Sequence, residues 1–540
     1  MRFATVLLAT FMLATGLPVQ SSELRQPVPG VHALTDVRIV TGPGEVIDNG
    51  TVVIRDGVIA AVGADVAIPP DARIHTFEQD EDQDPVTLYP GLIEPYLSVD
   101  SEPDEDENGQ PPPGRHELLR PDFAVDAGLW PQDRVQALRQ AGFTTAVLAP
   151  DHGLLRGQGK IVNLGEGGAA NNVLIAPFGQ FASFADRAGN RRFPGSLMGA
   201  VALMRQTLDD ARWQHQARRA WQENPAQPRP EWLEGLDALD PVMEGQTPLV
   251  FVSEDNHDSL RIAEFVSDES VDLVLVGHGK EYQRLDALAE LSLLHILPVD
   301  FPEAPEVKDE DDRNVSLSEL RHWDRAPDNP RLMNEAGIPF LLTTHELSNP
   351  SAIFAGLARA VERGLDPDVA LAALTTGPAR WLGLDDRAGQ IRTGAMANLL
   401  VVNGDLFTEG PGIAQVWVDG NRFVVEAIEP PTVDPAGTWE VTLGMGEMGD
   451  MDARIVLSGP PTSMTGTMEV MGTEASFDEV RVSGERVIAR LDAARLGGSG
   501  TITVRLEIDG DRARGTGSGP FGEFTVRGRR TATPDEEEGQ

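Results

Sequence analysis

The chain has 540 residues, with 85 Asp and Glu against 44 Lys and Arg, a formal net charge of −41 and no cysteine. The missing cysteines exclude disulfides, thiolate catalysis, iron–sulfur clusters and Cys-ligated zinc, and so negative a charge repels phosphate backbones and argues against nucleic acid as a partner. At 41% hydrophobic and 24% charged residues the composition is that of a globular protein, and at roughly 150 residues per domain the length allows two to four domains, or one barrel with additions.

Residues 1–21 read as an export signal. Met1-Arg2 gives a basic start, Phe3 to Leu17 an apolar run, and Val19-Gln20-Ser21 the small residues of a cleavage point. The run is shorter than the ~20 residues that a bilayer requires, and no later segment is long and apolar enough to span one. The expectation is a soluble, exported, periplasmic protein. From 31 to about 90, short strands follow: Val37 to Val40, Thr51 to Arg55 and Val58 to Val62, with turns expected at Asn49-Gly50 and Asp56-Gly57. The acidic stretch Glu78 to Pro85 and the acidic, Pro-rich stretch Ser101 to Arg120 cannot bury apolar surface and read as exposed loops.

From 130 to 385 helices and apolar strands alternate. A helix opens at Pro131 and ends before Gly142, and the strand Phe143 to Leu148 follows. Helix 258–266 precedes strand Val271 to Val276, helix 283–291 precedes strand His295 to Val299, and helix 330–336 precedes strand Ile338 to Leu342. Apolar strands separated by helices indicate a parallel sheet covered on both faces, and repetition over this length suits a closed (β/α)8 barrel, spanning 89–388. Leu399 to Val402 and Val416 to Val418 return to hairpin style. From 434 to 530 the alternation is all strand, which predicts a separate antiparallel β domain. The acidic tail 531–540 reads as disordered.

Four stretches together resemble the amidohydrolase superfamily, in its imidazolonepropionase-like and dihydroorotase-like branch. They are Asn49 to Gly63, Tyr89-Pro90-Gly91-Leu92-Ile93-Glu94, Ala373 to Gly383, and Gly389 to Val402. The resemblance implies a metal-dependent barrel flanked by a composite β-sandwich from 31–88 and 389–428. It also implies hydrolysis of non-peptide carbon–nitrogen bonds, with ligands at barrel strand ends. Here the ligand positions are altered. Tyr96 and Ser98 stand where the family has a His-x-His pair after strand one, Val252 where strand five ends in His, and His345 where strand eight ends in Asp. Strand six keeps His278, and Lys160, in Gly157-Gln158-Gly159-Lys160, is the candidate for a bridging carboxylated lysine, although it lies early in the chain for that role.

The resemblance therefore extends to exported members that lack the ligand set, and implies no bound metal and a degenerate site. His345 and Glu94 are the candidate catalytic groups, and Tyr96, Ser98, His278 and Glu254 the candidate substrate contacts. Expected partners are a small amide-like ligand or a catalytic amidohydrolase paralogue. An active amide, imide or dipeptide hydrolase with an unusual zinc site of His278 and His345 stays open, as does a binding protein of the cell envelope.

Overall fold

A computed structural model describes residues 30–77, 85–101, 116–126, 128–185, 193–267, 271–305, 315–408, 410–425, 432–444, 449–461, 464–470, 472–477, 479–496, 501–519 and 522–532. The expected export signal, most of both acidic loops, and the tail from 533 lie outside the described residues.

Strands from both flanks build one eight-stranded sheet: Val31–Gly42, Glu45–Arg55, Val58–Gly63, Arg73–Thr76, Val86–Pro90, Leu399–Asn403, Gly412–Val418 and Asn421–Val424. Val86–Pro90 joins the halves, pairing parallel with Val31–Gly42 and antiparallel with Leu399–Asn403. Asp56-Gly57 turns as its sequence demands, with φ of 51° and 81°. Asn49-Gly50 does not turn. Gly50 pairs with Val37 inside a strand, and a Cβ there would stand 2.7 Å from the Ile39 side chain. The glycine answers close packing, and the chain reverses earlier, at Gly44.

The second sheet is the barrel. Numbered in chain order, its strands are β1 (Leu92–Val99), β2 (Phe143–Pro150), β3 (Leu155–Asn163), β4 (Val173–Ser183), β5 (Leu249–Val252), β6 (Leu273–Val276), β7 (Leu294–Pro298) and β8 (Phe340–Thr343). The ladder runs continuously from β1 to β8 in this order. Seven strands run one way. β3 runs antiparallel to both β2 and β4, so no crossover helix is needed on either side of it. Its glycines permit this path: Gly157 has φ of 110°, and a Cβ would meet the Phe123 carbonyl at 2.5 Å. That carbonyl accepts the Gln158 N–H at 2.7 Å, so the segment around 119–125 lies against β3.

Alternate residues of all eight strands fill the interior. Ile93, Val147, Ile161, Phe181, Val250, Val274, Ile296 and Leu341 belong to one buried cluster. The outward residues pack on helices, among them Gln132–Gln140, Asn329–Glu335 and Ile353–Glu362. The helix Leu197–Glu223, which has no sequence counterpart in the reading above, closes a separate cluster outside β4 and β5. No helix among the described residues is long and apolar enough to cross a membrane.

Gly437 to Ala532 forms the third sheet, nine antiparallel strands around a core that includes Trp439, Ile455, Val504 and Val526.

Candidate functional site at the barrel mouth

Seven of eight barrel strands point their C-terminal ends at one mouth, where loops are free to carry chemistry while the strands hold them in place. β1 and β8 are the first and last strands of the ladder, and Glu94 clasps the seam between them. Its carboxylate accepts from the hydroxyl of Thr343, from the Thr344 N–H at 2.8 Å, from the Thr344 hydroxyl at 2.7 Å, and from the Tyr96 N–H at 3.0 Å. The residue is fully buried, and burial pushes its pKa above the ordinary carboxylate range against the pull of these four donors. Behind Thr344, the Arg134 guanidinium donates to the Thr344 carbonyl at 3.1 Å and its hydroxyl at 3.4 Å. Glu94 thus sits in the wall with a cation one residue away, not in the mouth.

Tyr96 and His345 do meet there. The two rings stand edge to face, centroids 4.9 Å apart at 81°. The tyrosine is 2% exposed. Its hydroxyl accepts from Nη1 of Arg156 at 3.1 Å, an arginine at the start of β3 that is itself 2% exposed. Arg156 Nε donates to the Gly153 carbonyl at 3.4 Å. No carboxylate among the described residues forms an ion pair with this guanidinium. His345 Nε2 lies 3.1 Å from the carboxylate of Glu346, whose backbone is left-handed at φ of 72°. A non-glycine residue in that region costs about 1 kcal/mol or more and persists where its surroundings enforce it. After the neighbouring strand β7, burial raises the pKa of Asp300 above its ordinary value, with Glu346 and Glu303 adding to the effect.

The other sequence candidates stand apart from this cluster. Ser98 is half-buried and its hydroxyl donates to Asp151 at 3.5 Å, in the same turn that binds Ser101. Glu254 is exposed, with its N–H donated to Asp258 at 3.3 Å. Its neighbour Asp255 caps the helix Asn256–Phe265, and the N–H groups of Asp258 and His257 hold its carboxyl below the usual range. His278 follows β6, in a loop shaped by the buried Glu281. That carboxylate accepts from the His278 N–H at 2.8 Å and from Asn329 at 2.7 Å. The His278 Nε2 is buried without a hydrogen-bond partner among the described residues, 3.9 Å from Glu281. His278 and His345 therefore belong to different local networks.

The donor chemistry of the mouth does not fit a divalent metal. The inward positions of β1, β4, β5 and β6 carry Tyr96, Phe181, Val252 and Val276. The Tyr96 hydroxyl accepts from a guanidinium, a cation where a metal ion would require imidazoles or carboxylates. Among the described residues no group of three His, Asp or Glu side chains is placed to hold a metal ion. Sequence reasoning missed Arg156 and the Thr343–Thr344 clasp, because neither belongs to a spacing motif. The one available signal was an arginine beside glycines, Arg156-Gly157-Gln158-Gly159.

Comparison with known proteins supplies context for this geometry. Residues 285–423 match the amidohydrolase family, whose members usually bind metal. A 95-residue stretch, 17% of this chain, is 30% identical to Amidohydrolase tasK of Hapsidospora irregularis and spans only 10% of that protein. Among solved structures, an amidohydrolase from Thermotoga maritima MSB8 superposes with a TM-score of 0.59 at 18% identity, over 73% of this chain and 99% of that one. A Xaa-Pro dipeptidase with bound methionine is a weaker likeness, with a TM-score of 0.44 at 13% identity over 73% and 100% of the respective chains.

Proposed function

The chain carries an amidohydrolase family domain on a barrel of amidohydrolase fold, and on that premise we propose that its mouth binds without performing metal-dependent hydrolysis. The partner is a small amide-like ligand or a catalytic amidohydrolase paralogue. The observation that carries this reading is the wall at the mouth: Tyr96 edge-on to His345, with Val252 and Val276 inward on β5 and β6. Such a wall offers aromatic and apolar contact and hydrogen bonds, but not the ligands that lower the pKa of a bound water. In the same reading Glu94 is a clasp, not a base, and residues 1–21 export the chain to the periplasm.

A second reading keeps the mouth active. It is favoured by the His345–Glu346 contact of 3.1 Å and the strained backbone of Glu346, an imidazole and a carboxylate at the end of a barrel strand. Assay of the purified full chain against amides, cyclic imides and dipeptides, with zinc or manganese added, separates the two. Absence of turnover supports the binding reading; turnover abolished by His345→Gln and kept by Glu94→Gln establishes the active one.

A further inference from the structure

A buried charge without a counter-charge is expensive, and folded proteins normally provide a partner. Two buried charges at the mouth are treated in opposite ways. Glu94 has four donors and Arg134 beyond them. Arg156 has a neutral phenol and one peptide carbonyl, which engage two of a guanidinium's five N–H groups. Its planar fork is the side chain best matched to a carboxylate, which it binds through two parallel hydrogen bonds. The Tyr96 ring, held by the same guanidinium, carries on its other side the His345 ring, whose side chain is 17% exposed. The arrangement is a cation at the base of an aromatic wall that reaches solvent.

We propose that Arg156 anchors a subsite for the carboxylate group of a small monoanionic ligand, with Tyr96 and His345 as the wall beside it. This rests on the binding reading above and adds the ligand's charge and its contact. A monoanion is favoured over phosphate for two reasons. One guanidinium balances one charge, and Glu346 and the rest of a chain of net charge −41 oppose a second. The ligand supplies the counter-charge that the described residues do not, so binding neutralises the buried cation and stabilises the folded chain.

The test is the thermal unfolding of the full chain at constant ionic strength, with sodium N-acetylglycinate, N-acetylglycinamide, sodium phosphate or sodium chloride. The carboxylate should raise the midpoint by about 2–4 °C at about tenfold excess over its Kd, and the neutral amide, phosphate and chloride by less. Arg156→Met should abolish the carboxylate response while leaving the unliganded chain as stable as the wild type or more so, because it removes an uncompensated charge. Arg156→Lys keeps the charge without the fork, and should reduce the response if the methionine variant does not fold. No carboxylate response in the wild type, an equal response to phosphate or to the amide, or a destabilised Arg156→Met that still responds would each overturn the proposal. Zinc content measured on the same samples separates the two claims. Stoichiometric zinc beside an intact carboxylate response defeats the binding reading alone, and zinc-free protein without a response defeats the subsite alone.

Discussion

The bottom of the barrel and its mouth handle buried polar groups by different rules. At the bottom, the Thr145 hydroxyl donates to Asn163 Oδ1 at 3.1 Å, Asn398 Nδ2 donates to the same oxygen at 3.1 Å, and Asn398 Oδ1 accepts the Asp419 N–H at 2.7 Å. Three residues from the barrel and the flanking sheet satisfy one another, and all three are buried. At the mouth, Arg156 lacks an anionic partner among the described residues and Glu346 holds a left-handed backbone. A network satisfied throughout stabilises and specifies. A buried cation without a counter-charge and a left-handed backbone each cost stability, and on a rigid scaffold are retained for what they contact. Glu94 marks the border: it lies on a mouth strand but is satisfied like the bottom residues.

That border is the easiest place to break the comparison. Glu94→Ala leaves the hydroxyls of Thr343 and Thr344 and the N–H groups of Thr344 and Tyr96 without this acceptor, and should cost about 3 kcal/mol or more in urea unfolding. A Glu94→Ala chain with unchanged stability would put the carboxylate back in the mouth as a reacting group. Tyr96→His with Ser98→His restores two imidazoles but not function, since Val252 stays inward and the Arg156 cation stays adjacent. Turnover by that double variant would mean that the rest of a hydrolytic site is intact. It should also lose about 2 kcal/mol, because a buried aromatic ring and its hydrogen bond to Arg156 go with Tyr96.

Two smaller effects sharpen the contrast. Asn398→Ala should cost about 1–3 kcal/mol by stranding the Asp419 N–H and taking one of two donors from Asn163 Oδ1, and should leave the carboxylate response of the mouth unchanged. A change in that response would deny the separation of the two ends. One part of the pH dependence should arise away from the mouth, in the flanking sheet. There His32 Nδ1 and His75 Nε2 lie 3.0 Å apart against Trp417. Burial, then Arg73 and Arg422, hold His32 below the ordinary imidazole range, while burial, then His32 and the same arginines, lower His75 to about 4. The unfolded chain takes up protons near pH 6.5 that the folded sheet refuses. Stability is therefore full above that pH and falls as pH drops toward 4, by about 1 kcal/mol for a half-buried, screened ring. In His75→Phe that part of the acid loss should disappear from the unfolding curve.

The division between ends also explains what was legible in the chain itself. Strands buried on both faces are written as apolar runs, so Leu273–Val276 and its neighbours could be read, and helix 132–140 announced itself by Pro131 and Gly142. β3 could not be read as an antiparallel barrel strand, because its direction is set by pairing with β2 and β4 and by the close approach of Phe123 to Gly157. Asn49-Gly50 misled for a related reason: a glycine needed for packing looks the same as one needed for a turn. Tyr96 and His345 were singled out because they stand where the resembled family has its ligands, and their rings share a contact. Arg156 was missed because its meaning lies in what surrounds it. A phenol partner sixty residues away in sequence leaves no local pattern.

The central claim is that the mouth lacks the ligands of a metal-dependent hydrolase. Elemental analysis of the purified full chain after dialysis against a weak chelator tests it most directly. Tyr96, Val252 and the adjacent Arg156 predict zinc well below one per chain, in the wild type and in His345→Gln alike. One tightly held metal per chain, lost in His345→Gln or His278→Gln, would contradict the account and make those imidazoles ligands.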